Sequence, residues 1–269
     1  MRRQWVMVWN QPQISPAAMG RGAAAAVRGL VNAVLPPQCL ACDALVATPG
    51  SLCAACWIDA KFITAPQCRI CGVPYAFDPG ADVVCGACNR TPPLYDRARA
   101  VLHYDELGRR LVVGFKHGDR THGAPTFGRW LARAGAELVA EADLGTPVPL
   151  HRLRSLRRRF NQSAMLAQAV CRAATAQDLR FAPDLLLRRR HTPSQAGLNA
   201  VQRRRNVRNA FAVNPRRRAQ IGGKRILLVD DVFTTGATVS ECARILTKAG
   251  AATVDVLTMA RVDAPRGEP

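Results

Sequence analysis

Apolar residues along this chain fall into two textures. Beyond Pro92-Pro93, short apolar runs alternate with segments whose apolar residues recur at helical spacing. Residues 98–102, 146–150, 225–229 and 253–259 read as strands, with shorter ones at 185–187 and 210–213. Residues 106–116, 126–141, 161–174 and 238–249 read as helices; Met165, Leu166, Ala169 and Val170 carry the repeat in the third of these. Strands alternating with helices predict an α/β domain over residues 92–269, a parallel sheet flanked by helices. The basic, polar stretch 188–209 partly reads as a mobile loop.

Upstream the texture is different. Residues 36–91 lack helical periodicity and are rich in Cys, Pro and Gly, which predicts a small metal-stapled module. Residues 1–35 read as a tail followed by a short helix. Met1-Arg2-Arg3 imitates the basic start of a signal peptide, but the apolar stretch 23–35 is interrupted by Arg28 and Asn32. It fits an amphipathic helix halted by Pro36-Pro37 better. No uncharged apolar run is long enough to span a membrane.

Eight of the ten cysteines form four Cys-x-x-Cys pairs: Cys39/Cys42, Cys53/Cys56, Cys68/Cys71 and Cys85/Cys88. In a chain with no readable secretion signal, this spacing points to zinc in a reducing cytoplasm; disulfides are the competing chemistry. Sequential pairing gives two Cys₄ sites that look like copies of one unit, although an interleaved arrangement uses the same residues. A segment this short with so few core residues needs such staples to fold. Cys171 and Cys242 stand alone on helical segments and read as buried thiols.

The formal net charge of +19 is unevenly spread. Residues 151–218 hold 17 arginines and only two acids, Asp178 and Asp184. That is a footprint for an anionic partner such as phosphate or nucleic acid, with a solvated face as the plain alternative. Arg203-Arg204-Arg205, Arg216-Arg217-Arg218 and Arg157-Arg158-Arg159 are placed to follow a phosphate backbone. Few aromatics are interleaved, so sequence-independent binding is expected rather than base readout.

The sharpest chemistry lies in residues 226–238. An apolar strand delivers Asp230 and Asp231 at its end, and Thr234, Thr235, Gly236, Ala237 and Thr238 then open a helix. Backbone N–H groups and the helix dipole at that place hold a phosphate dianion, and the two acids are positioned to accept from ribose hydroxyls. Gly-Lys-[Ser/Thr] is missing, so this is not a Walker loop. A plain helix cap explains one Asp or one Thr, not the string.

This string resembles the phosphoribosyl pyrophosphate (PRPP) motif of type I phosphoribosyltransferases. With the cysteine pairs, Phe115-Lys116, Val148-Pro149-Leu150-His151, Phe160-Asn161-Gln162-Ser163 and the segment from Thr192 to Val207, the chain resembles the ComF/ComFC family of competence-associated proteins. Arg159 departs from that pattern, where Gly is usual. The resemblance implies a double zinc ribbon before a type I phosphoribosyltransferase-like fold. It implies two structural Zn²⁺ and a Mg²⁺ that accompanies PRPP. Asp230 and Asp231 would contact the ribose, Thr234 to Thr238 the 5-phosphate, and His151 and Arg152 the pyrophosphate. Residues 188–209 would be a closing loop. The implied role is handling single-stranded DNA in the cytoplasm during natural transformation, in contact with DNA-uptake machinery. Two rivals stay open: a working phosphoribosyltransferase of nucleotide or amine metabolism, and a non-enzymatic zinc-ribbon adaptor for nucleic acid. His117, His122 and His191 receive no role, and Lys116 is expected to reach a phosphate.

Overall fold

A strand buried on both faces carries apolar side chains at every position, and residues 226–229 do so. The computed structural model describes residues 36–263 except 81, 117–119, 151–159, 175–177, 191 and 193–198. Its strands are β1 (Ala98–His103), β2 (Leu144–Pro147), β3 (Arg180–Phe181), β4 (Leu186–Arg188), β5 (Phe211–Val213), β6 (Arg225–Phe233) and β7 (Thr253–Arg261). Five form one parallel sheet in the order β1-β7-β6-β2-β3, which leaves β6 central; β4 and β5 form a separate antiparallel pair.

The helices are α1 (Ala54–Ile58), α2 (Gly86–Arg90), α3 (Glu106–Lys116), α4 (Ala124–Ala134), α5 (Ala136–Glu141), α6 (Gln162–Ala173), α7 (Ala200–Val207) and α8 (Ala237–Lys248). Alternation along β6 sorts the core into two layers. Leu227 and Val229 join Leu257 and Met259 under Leu131 of α4 and Leu166 and Val170 of α6. Ile226 and Leu228 join Val254 and Val256 under Val239, Ala243 and Leu246 of α8.

Three elements differ from the sequence expectation. The helix expected over 126–141 is two, α4 and α5, broken at Gly135, where an added Cβ would lie 2.8 Å from Leu257 Cδ1. Strand β6 does not stop at Val229. Its pairing with β7 continues through Asp230↔Thr258 to Phe233↔Arg261, so both acids sit inside the strand's last residues. Within the stretch expected to include a mobile loop, residues 200–207 are helical. Asn199 and Gln202 close a capping box at the start of α7, each side chain accepting from the other's backbone N–H at 2.9 Å.

The cysteine-rich segment is two copies of one unit. In each, a hairpin bridge (Gln38↔Leu45, Gln67↔Pro74) carries the first cysteine pair. In each, a one-turn helix (α1, α2) carries the second pair, with Cys53 or Cys85 as its N-cap. Both units attach to β1, the sheet's edge strand. Ile63 donates its N–H to the Val101 carbonyl at 2.9 Å, and Ala98 donates to the Ile70 carbonyl at 2.6 Å. The edge is thereby covered. Leu40 of the first unit is buried in the same core as Phe127 and Leu131, and a stack of Trp57, Phe62 and Trp130 seals the junction.

Helices α4 and α6 pack tightly at Gly128, where an added Cβ would lie 2.6 Å from the Ala169 carbonyl carbon and 2.7 Å from its oxygen. Gly128→Ala is therefore expected to cost about 1–3 kcal/mol and to lower the melting temperature. Gly222→Ala is the control, since its added methyl has nothing within 4 Å. Equal melting temperatures would contradict this packing.

Candidate functional site

The end of β6 turns into α8 over a few residues. Gly236 is the helix N-cap with φ 72°, a left-handed conformation that glycine adopts without strain. A Cβ there would also strike the Phe233 ring at 2.9 Å, so glycine is required twice over. Thr234 and Thr235 lie before this turn and Ala237 and Thr238 after it, which leaves the first N–H groups of a 12-residue helix facing the strand end. Such an end attracts an anion.

Two carboxylates stand beside it. Asp230 Oδ1 accepts from Ser163 Oγ at 2.9 Å and from the Asp231 N–H at 2.9 Å. Its carboxyl is enclosed, although the residue keeps a partly exposed edge. Burial first, and the Asp231 charge second, push this carboxyl up to about 7, against the pull of the Asp231 amide, the Ser163 hydroxyl and the Lys116 ammonium. Asp231 Oδ2 meets Lys116 Nζ at 2.9 Å, both side chains being largely shielded. Lys116 thus pairs with a carboxylate, rather than standing free for a phosphate as the sequence suggested.

The segment 161–163 ties the surrounding loops to this pair. Asn161 caps α6 by accepting from the Ser163 N–H, and its Nδ2 donates to the Val148 carbonyl at the end of β2. Gln162, 1% exposed, donates to the Lys116 carbonyl at 2.9 Å. Ser163 donates to Asp230. Three consecutive side chains therefore position β2's exit, Lys116 and Asp230. Ser163 and Gln162 were absent from the expected site residues because Asn-Gln-Ser also satisfies the grammar of a helix start. Arg159, the departure from the family pattern, lies outside the described residues, as do His151 and Arg152; Asn161 and Gln162 are seated regardless. Arg204 and Arg205 lie exposed on α7, and Arg203 beside them is half-buried.

The cysteines form two tetrads, Cys39/Cys42/Cys53/Cys56 and Cys68/Cys71/Cys85/Cys88, with all sulfurs of a tetrad within 4.8 Å of one another. This is the sequential pairing. Tetrahedral zinc at Zn–S of about 2.3 Å requires S–S edges of about 3.8 Å. Cys42 to Cys53 is 3.6 Å and Cys71 to Cys85 is 3.7 Å, so the sulfurs fit the ion. N–H groups of Cys53 and Cys85 donate to Cys39 and Cys68 Sγ at 3.3 Å, the same contact in both copies. Burial raises the Cys39 and Cys68 thiols, but these and neighbouring donors outweigh it and bring both down to about 6. Burial and the neighbouring sulfurs push Cys56 and Cys88 up. A divalent ion supplies the charge that lets all four ionise together. Among the described residues no helix is long and apolar enough to cross a membrane.

Comparison with known proteins follows these features. Residues 30–89 match the double zinc ribbon domain, and residues 162–269 match the phosphoribosyl transferase domain. Competence protein F of Haemophilus influenzae is 31% identical over 230 residues, covering 83% of this chain and 96% of that protein. DNA utilization protein YhgH of Escherichia coli O157:H7 is 34% identical over 199 residues, or 72% of this chain and 83% of that one. Competence protein ComFC of Bacillus subtilis is 25% identical over 250 residues, with 83% and 94% covered.

The tetrads predict two zinc ions per chain when the protein is purified under reducing conditions, read by elemental analysis. Cys42→Ser plus Cys53→Ser should leave one. Loss of both ions would point to the interleaved pairing, and two ions retained would contradict the sites themselves.

Proposed function

This chain belongs to the ComF/ComFC family of competence-associated proteins, and on that premise we propose that it binds PRPP at the end of β6 and handles single-stranded DNA in the cytoplasm. One observation carries the first half: two adjacent carboxylates and a left-handed glycine helix cap meet at the C-terminal end of the central parallel strand. Ligands of open α/β sheets bind at such strand ends. The 5-phosphate takes the N–H groups of Thr234 to Thr238. The ribose hydroxyls donate to Asp230 and Asp231, and Lys116 yields Asp231 to them. His151 and Arg152 follow β2 in the chain and are assigned to the pyrophosphate. A Mg²⁺ that accompanies PRPP would be held beside Asp230 and Asp231 and would neutralise the charge of the pyrophosphate.

The DNA half is supported by the relatives' names, competence and DNA utilization proteins, and by the arginines concentrated in residues 151–218. Arg203, Arg204 and Arg205 are assigned to nucleic acid. Contact with DNA-uptake machinery belongs to the same proposal. A phosphoribosyl compound other than PRPP would meet the same phosphate and ribose groups.

Asp230→Asn plus Asp231→Asn should remove two charge-assisted contacts of roughly 1.5–3 kcal/mol each. Calorimetric PRPP affinity in Mg²⁺ should therefore fall by about 100-fold or more, with zinc content unchanged. Unchanged affinity would overturn the site. Pyrophosphate release, measured in parallel with single-stranded DNA, amines and bases, separates a turning-over transferase from a ligand-gated DNA-binding protein.

A further inference from the structure

A cleft lined by neither of the two carboxylates opens beside the phosphate loop. Its volume is about 1020 Å³, and it shares Thr234, Thr235 and Ala237 with that loop. One wall is the second cysteine unit, through α2 and residues 91–95 behind it; the other is α7 with the outer face of α8. Neither Asp230 nor Asp231 lines it.

The cleft's chemistry follows from helical spacing. Val201, Arg204, Arg205 and Arg208 recur at intervals of three and four and so share one face, and all four line the cleft. Arg90, at the end of α2, comes from the opposite wall. The acid among the lining residues is Glu241, and it is already taken: Arg244 pairs with it at 2.8 Å and the Asn209 N–H donates to it at 2.9 Å. Arg261 is likewise committed, donating to the Cys71 carbonyl at 2.6 Å. Arg90, Arg204, Arg205 and Arg208 are exposed and make no ion pair among the described residues. The same cleft carries exposed apolar side chains, Leu94 at 54% and Val201 at 48%.

We propose that this cleft is the path of a single nucleic-acid strand, gripped between the second zinc unit and α7. The inference rests on the DNA half of the proposed function and gives it a location. Guanidinium groups on two facing walls suit the repeated phosphates of a strand. The apolar surface of the cleft suits sugars and unpaired bases, which a duplex keeps stacked inside. An isolated phosphate has no use for the apolar surface. The zinc ribbon is then a jaw of the DNA site as well as a staple. Because Arg203 does not line the cleft, Arg204 and Arg205 are the members of that triplet that touch the strand.

The test measures fluorescence anisotropy of a labelled oligothymidylate of about 20 nucleotides, longer than a typical single-domain footprint, with the full zinc-loaded chain. Arg90→Glu/Arg204→Glu/Arg205→Glu should weaken binding by about 30-fold or more and lower the log–log salt slope by about 2, near 0.7 per lost phosphate. Arg90→Glu alone should weaken it by about 3-fold or more. Arg109→Glu/Arg110→Glu/Arg133→Glu makes the same change in charge on exposed residues outside the cleft and should lose far less. Zinc content and melting temperature should be unchanged in both triple variants, which reports that they fold. Equal losses in the two triple variants would overturn the path while leaving DNA binding itself intact. No binding by the unsubstituted chain at low salt would overturn both, and PRPP affinity would still stand by itself.

Discussion

Adjacent carboxylates at the end of an apolar strand repel each other, and the surroundings of Asp230 and Asp231 are arranged around that repulsion. Asp231 is neutralised by Lys116 at the C-terminus of α3, where the helix dipole also favours a cation. Among the described residues Asp230 has no cation of its own at hydrogen-bond distance; it takes a hydroxyl and a backbone N–H, and burial and the Asp231 charge push its carboxyl up to about 7. A polyhydroxyl ligand would replace Lys116 at one acid and add donors at the other. The pair is therefore poised to gain from a ribose. Helices α3 and α6 have to reach the strand end for this to work, and the Gln162–Lys116 contact joins them there.

The same sheet accounts for the zinc units. An exposed parallel edge would leave β1 open to pairing with another chain. Both units put backbone on that strand, and neither could bury much on its own. The metal shapes each knuckle, and the sheet provides the rest of the core through Leu40 and the aromatic stack. Beside the second unit, Arg261 of β7 lies over the Phe233 ring at 4.8 Å while it donates to the Cys71 carbonyl. Phe233 is the residue against which Gly236 is packed. A continuous line of contact thus runs from a cysteine tetrad to the phosphate loop.

Much of this was legible in the sequence. The Cys-x-x-Cys pairs announce tetrads because ligand spacing is local. The string from Asp230 to Thr238 does so because strand, acids, glycine and helix start are consecutive. What was hidden depends on distant partners. Strand β6 runs past Val229 because β7 continues beside it, and no local propensity at Asp230 and Asp231 favours a strand. Gly135 breaks a helix because Leu257 needs the space. Ser163 and Lys116 join the site from 67 and 115 positions before Asp230 and Asp231 respectively. The arginines were visible as a charge run, but which of them face a common cleft depends on the second zinc unit lying across from α7.

The central claim is that the turn from β6 into α8 holds a 5-phosphate while the two acids hold its ribose. A crystal structure of the chain soaked with PRPP and Mg²⁺ tests this most directly. The account predicts phosphate density against the N–H groups of Thr234 to Thr238, ribose hydroxyls on Asp230 and Asp231, and the Lys116–Asp231 pair opened. Density for PRPP elsewhere, with that ion pair intact and the turn empty, would contradict it.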